Sequence, residues 1–185
     1  MKTLCVDLGG SRVKLALMTA DSHPQPDVFE VDSHAPLAQT LSLVAQHAAA
    51  WGQPDAVSIA LPCVVCRGTV IACNGKYTDA VGFDWMRWSQ KTFGAPVFLM
   101  NDAAAALLGE MRCGNARGFA NAALIALGTG LGFACCLDGE VQYAPTGSPR
   151  ITVYKKPFRD GILEDYVAKR GFLRLYGEIT GQDTG

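Results

Sequence analysis

Pro96-Val97-Phe98-Leu99-Met100-Asn101-Asp102-Ala103-Ala104-Ala105-Ala106-Leu107-Leu108 is the stretch whose pattern settles the architecture. An apolar strand, Pro96 to Met100, stops at Asn101-Asp102. The spacing of Ala103, Ala104, Leu107, Leu108 and Met111 then predicts one face of a helix. Asp102 falls in that helix's first turn, where a carboxylate suits the unpaired N–H groups and the positive end of the dipole. A charged group in so apolar a stretch needs a reason. Capping the helix is one; accepting a proton from a substrate hydroxyl, as a general base, is the other.

Working outward, Ala56 to Leu61 reads as a buried strand halted by Pro62, and Trp85 to Phe93 as a helix. Leu37, Leu41, Val44, Ala45 and Ala48 recur at helical spacing. Lys2 to Leu8 is a strand running into Asp7-Leu8-Gly9-Gly10-Ser11. Val13 to Met18 resumes the strand pattern, and a third strand is predicted near Val28 to Val31. Downstream, Gly114-Asn115-Ala116-Arg117-Gly118 breaks the helix and marks the expected boundary between lobes 1–114 and 115–185. Ala122 to Leu127, then Gly128-Thr129-Gly130-Leu131-Gly132, then Phe133 to Leu137 repeat the earlier order of strand, glycine turn and strand. Tyr143 to Pro157 is irregular, and Leu163, Tyr166 and Val167 mark a closing helix.

Glycine-rich turns expose successive backbone N–H groups, and a concave row of such donors binds phosphate oxygens without a lysine. A tight hairpin with no ligand is the plain alternative. Asp7, ending the strand before the first turn, either bonds the turn's own amides or faces a Mg²⁺ ion beside bound phosphates. The usual nucleotide fingerprints are missing. No G-x-x-x-x-G-K-[ST] occurs, and the G-x-G-x-G at Gly128 leads into a strand rather than a helix. Lys14, on the strand after the first turn, is expected to face solvent.

Composition removes other classes. With 16 basic and 17 acidic residues the net charge is −1, so no footprint for nucleic acid or an anionic membrane is visible. No apolar run of about 18 residues occurs, and no signal peptide is read at the start, so a soluble, cytoplasmic protein is expected. Seven cysteines, an odd number with Cys135 and Cys136 adjacent, read as reduced thiols in a reducing compartment. Cys63-Val64-Val65-Cys66 with Cys73 has no second ligand pair at zinc spacing, so no metal site is predicted there.

Together these segments resemble the ROK family of sugar kinases and repressors, within the actin, hexokinase and Hsp70 superfamily. The likeness rests on Val6-Asp7-Leu8-Gly9-Gly10-Ser11, on Ile59-Ala60-Leu61-Pro62, on Pro96 to Ala106, and on Gly128-Thr129-Gly130-Leu131-Gly132 followed by Asp138-Gly139. It implies an α/β, actin-like ATPase (ribonuclease H-like) fold, a mixed sheet flanked by helices, with the second lobe incomplete. It further implies ATP-dependent phosphorylation of a sugar hydroxyl with Mg²⁺, Asp102 being the catalytic base. Asn101 and Asn74 would contact the sugar. Asp7, Gly9, Gly10, Ser11, Gly128, Thr129, Gly130 and Gly132 would bind the nucleotide phosphates. A homodimer is the expected assembly.

The resemblance has gaps. The family's Glu-x-Gly-His segment is absent from Tyr143 to Arg150, and its zinc cysteines are absent from Lys156 to Glu164, where only Leu163-Glu164 matches. No structural zinc is therefore predicted, and the short C-terminal part leaves turnover by this chain open. A non-catalytic sugar- or nucleotide-binding protein and another actin-superfamily ATPase or kinase stand as alternatives.

Overall fold

A computed structural model describes residues 1–21, 26–32, 34–73 and 75–182. Packing divides the chain into two units, Met1–Asp102 and Ala103–Gly185.

In the first unit, β1 (Thr3–Leu8) alternates strictly, burying Leu4, Val6 and Leu8 on one face. β2 (Arg12–Met18) buries Val13 and Leu15 beside them, and β3 (Asp27–Glu30) adds the outer strand. The helix α1 (Leu37–Ala48) lays Leu37, Leu41, Val44 and Ala48 into the same core at three- and four-residue spacing. Each such fully buried Leu or Val contributes about 1.5–3 kcal/mol relative to exposure. β4 (Ala56–Leu61) is buried at Val57, Ile59 and Leu61. A hairpin of β5 (Cys63–Cys66) and β6 (Thr69–Cys73) follows. The helix α2 (Trp85–Phe93) starts on Asp84, whose carboxylate accepts from the Arg87 N–H at 2.9 Å. β7 (Val97–Asn101) completes a five-stranded sheet in the order β3-β2-β1-β4-β7. β1 pairs antiparallel with β2 and parallel with β4, and β4 pairs parallel with β7, so the sheet is mixed as expected.

The β5–β6 hairpin was not legible in the sequence, and it corrects the reading of the cysteines. Arg67 and Gly68 take positive φ angles of 49° and 77° in its turn, and the register sets Cys63 directly opposite Cys73. With their Cα atoms 4.4 Å apart the two form a disulfide instead of remaining reduced. Cys5, Cys66, Cys113, Cys135 and Cys136 stay free. Thiol titration of the denatured chain without reductant is expected to find five groups, rising to seven after reduction. Seven from the outset would mean that the bridge does not form.

The second unit begins with α3 from Ala103 onward, the helix spanning Asp102–Cys113. Ala103 and Leu107 pack with Ala134 and Cys136 of the following sheet. That sheet has β8 (Ala122–Leu127), β9 (Leu131–Leu137) and β10 (Glu140–Val141), all antiparallel, in the order β10-β9-β8. Asp138 and Gly139, both at positive φ, turn β9 into β10. A small hairpin, β11 (Pro157–Phe158) with β12 (Gly161–Ile162), leads into α4 (Leu163–Val167) and α5 (Lys169–Thr180). Ile125 and Leu127 on the edge strand β8, and Phe172, Leu175 and Ile179 on α5, are exposed. This unit therefore exposes apolar side chains on both of these elements.

No helix among the described residues is long and apolar enough to cross a membrane.

Candidate functional site

Because β1, β4 and β7 run parallel, their carboxyl ends lie along one edge of the sheet. Asp7 is level with Ala60, Ala60 with Met100, and Leu61 with Asn101. The chain leaves that edge at the Gly9 turn, at Pro62 and at Asp102. The crevice outside the carboxyl ends of parallel strands is where open α/β sheets take their ligands. Two strand spacings, about 10 Å, separate the first turn from Asp102.

Asp102 is the first residue of α3, so its carboxylate sits in the first turn of the helix. The Asn101 side-chain amide donates to Asp102 Oδ1 at 3.1 Å and to the Cys63 carbonyl at 3.3 Å. Asn101 thus ties the acid to the β5–β6 hairpin, whose base the disulfide closes. The amide thereby restrains the orientation of the carboxylate at the start of α3.

In the first turn, Gly9, Gly10 and Ser11 link β1 to β2. A Cβ placed on Gly9 would lie 2.5 Å from the Arg12 carbonyl oxygen, so the turn closes only around glycine. Two donors from a distant segment reach its carbonyls: Tyr77 donates its hydroxyl to Gly9 O at 3.0 Å, and Lys76 Nζ donates to Gly10 O at 3.3 Å. Tyr77 is fully buried, and burial pushes its phenol up to about 12, so it is a protonated donor at any ordinary pH. Burial also lowers the Lys76 ammonium, with Asp32 opposing the shift. Asp7 lies outside the core face of β1, and Lys14 directly across the ladder pairs with it at 3.0 Å. Lys14, expected to face solvent, is half exposed but partnered. At that exposure the pair adds about 0.2–1 kcal/mol.

In the second unit the β8–β9 ladder closes at Leu127 opposite Leu131, leaving Gly128, Thr129 and Gly130 as the loop. Gly132, read as part of the turn, lies inside β9 opposite Ala126. Glu164 of α4 accepts from the Leu131 N–H at 2.8 Å, and the Lys169 N–H donates to the Gly128 carbonyl at 2.9 Å. Arg170 pairs with both Glu164 and Asp165, at 3.2 and 2.5 Å. The loop is thus held from the start of α4 by the Glu164 carboxylate, whose charge Arg170 balances, and from the start of α5 by the Lys169 backbone.

Asn74 lies outside the described residues. Among the described residues no three His, Cys, Asp or Glu side chains cluster as a metal-ion set. Trp85 packs into the core with Phe83 and Trp88 at edge-to-face geometry, as a helix anchor does. Sequence reasoning missed the roles of Tyr77, Lys76 and Glu164. Tyr77 and Lys76 meet their turn across sequence separations of 68 and 66 residues, which no local pattern encodes. The signal for Glu164 was the Leu163-Glu164 pair, read only as the remnant of a zinc segment.

The sequence profile of the ROK family matches residues 3–148. The N-acetylgalactosamine kinase AgaK of Shewanella sp. (strain ANA-3) is 27% identical over 202 aligned positions, covering 96% of this chain and 64% of that protein. Among solved structures, the Lmo2764 protein of Listeria monocytogenes superposes with a TM-score of 0.83 at 22% identity, covering 100% of this chain and 66% of that one. A glucokinase from Streptomyces griseus, solved with glucose and AMPPNP, gives a TM-score of 0.77 at 22% identity, covering 98% and 62%. The chain spans 46% to 64% of the lengths of the curated kinases it matches.

Proposed function

Because the chain belongs to the ROK family, we propose that it forms the sugar- and phosphate-handling part of an ATP-dependent sugar kinase. The observation that carries this reading is the shared sheet edge, which sets a glycine turn two strands from an oriented carboxylate at a helix start. The lobes are taken as 1–114 and 115–185, each contributing one phosphate turn. Asp102 takes the proton of a sugar hydroxyl as that oxygen bonds to the terminal phosphorus of ATP and the bond to the bridging oxygen breaks, releasing ADP. Asn101 orients Asp102 and contacts the sugar together with Asn74. Backbone N–H groups at Gly9, Gly10 and Ser11, and at Thr129 and Gly130, receive the phosphates, in a second turn framed by Gly128, whose own N–H donates to the Gly130 carbonyl at 3.1 Å, and by Gly132 in β9. Positioning and charge stabilisation of this kind carry most of phosphoryl-transfer catalysis.

Asp7 is the residue that would hold a Mg²⁺, directly or through water. Its carboxylate is 41% exposed and engages Lys14 through one oxygen, so its other oxygen suits a hard cation. When bound, the ion would neutralise phosphate charge. The exposed apolar residues of β8 and α5 favour pairing with a second copy, and the need for ATP favours a cytoplasmic setting.

The test is a coupled ADP-release assay across hexoses and N-acetylhexosamines. Sugar-dependent ADP release is the expected result. Sugar-independent hydrolysis would favour an ATPase of the same superfamily. Sugar binding with no turnover would favour a non-catalytic binding protein, the reading that the missing Glu-x-Gly-His segment supports.

A further inference from the structure

We infer that Tyr77 and Lys76 are the positioning residues of the first phosphate turn, aiming its N–H groups at the nucleotide by holding the carbonyls on the other side of the same peptide planes. The argument begins with the geometry of one peptide bond. In a trans peptide the carbonyl of residue i and the N–H of residue i+1 lie in one plane and point in opposite directions. No cis peptide occurs among the described residues. Fixing the Gly9 carbonyl toward Tyr77 therefore fixes the Gly10 N–H away from it. Fixing the Gly10 carbonyl toward Lys76 does the same for the Ser11 N–H. Backbone hydrogen bonds outside the strand ladders include none donated by Gly10 or Ser11 among the described residues, so neither amide is spent on the turn itself.

Glycine makes such a clamp necessary. Two consecutive glycines have the widest choice of backbone angles of any dipeptide, and a turn built from them flips its peptide planes readily. The flip would present carbonyl oxygens to an anion and repel it. Tyr77 opposes that flip from a rigid base, since it is fully buried and its phenol stays protonated. Lys76 opposes it with an ammonium, which also brings positive charge to the turn. Both donors stand in the segment just after Asn74, the residue proposed to contact the sugar.

This inference rests on the kinase reading, and the test separates the two. ADP and the panel sugar with the highest turnover are titrated calorimetrically against the wild-type chain, Tyr77→Phe, Lys76→Met and Lys76→Arg. Tyr77→Phe keeps the buried ring and removes only the donor. It should weaken ADP about three- to tenfold, the range for one lost hydrogen bond, with sugar affinity held within about twofold. Lys76→Met should do the same, and Lys76→Arg, which keeps a cationic donor, should restore most of the affinity. ADP affinity unchanged in both Tyr77→Phe and Lys76→Met would overturn the inference and leave the kinase reading intact. So would a parallel loss of ADP and sugar affinity with a fallen unfolding midpoint, because that is what a purely structural role predicts. Failure of the wild-type chain to bind ADP would strike the kinase reading itself, and the inference would fall with it.

Discussion

Asp102→Asn is expected to lower sugar-dependent ADP release by about 10²–10⁴-fold, the range for loss of a general base, while sugar affinity stays near that of the wild type. The substitution separates the two reasons a carboxylate could stand at this junction. Asparagine caps helices about as well as aspartate, so the start of α3 should be unaffected. It also keeps an Oδ1 to accept from the Asn101 amide, which donates to that atom at 3.1 Å. What it cannot do is take a proton from an alcohol. Unfolding midpoints should therefore move little while turnover collapses. Asp102→Ala should lose both, adding about 1 kcal/mol of destabilisation for the missing cap. Wild-type turnover in Asp102→Asn would leave Asp102 as a helix cap and nothing more.

Much of the first unit was legible because its elements follow simple periods. β1, with Leu4, Val6 and Leu8 inside, alternates cleanly. The spacing of Leu37, Leu41 and Val44 places α1, and the helix expected over Trp85 to Phe93 is observed over those residues, starting on the Asp84 cap and ending at Gly94 at positive φ. The strand into Asn101-Asp102 is readable for the same reason. The β5–β6 hairpin escaped because Arg67, not a glycine, takes the first positive-φ position in its turn, so the usual sequence signal is blurred. With the hairpin unseen, Cys63 and Cys73 read as separate thiols and not as cross-strand partners. The second unit was harder for a different reason. Its loop at Gly128 is held by Glu164 and by the Lys169 backbone, groups that arrive from the far end of the unit. Long-range donors such as Tyr77 leave no periodic trace, because one hydrogen bond to one carbonyl constrains only a single position.

Gly9→Ala is expected to damage both stability and nucleotide binding, and the reason lies in how little can move. The added Cβ would sit 2.5 Å from the Arg12 carbonyl oxygen, well inside the distance that non-bonded atoms tolerate. That oxygen belongs to backbone at the start of β2 and cannot swing aside as a side chain does. One relief is to open the end of the β1–β2 ladder, but its last pair, Leu8 and Val13, is completely buried, so opening it exposes core. The other is to rotate the Gly9 peptide, which breaks the bond to Tyr77 and turns the Gly10 N–H from its aim. The first route costs about 1–3 kcal/mol as overpacking. The second removes one or two hydrogen bonds to phosphate, each about 1.5–3 kcal/mol because the acceptor is charged, so ADP affinity should fall more than about 100-fold if both go. The three tryptophans, Trp51, Trp85 and Trp88, all lie in the first unit, so tryptophan fluorescence during urea unfolding reports on that unit directly. Gly128→Ala is the control: a Cβ there meets nothing within 4 Å, and its unfolding, followed by far-ultraviolet circular dichroism because Gly128 lies in the second unit, should stay within about 0.5 kcal/mol of wild type. Equal stability and equal ADP affinity in Gly9→Ala and the wild type would show that the turn is not built as tightly as the Arg12 contact requires.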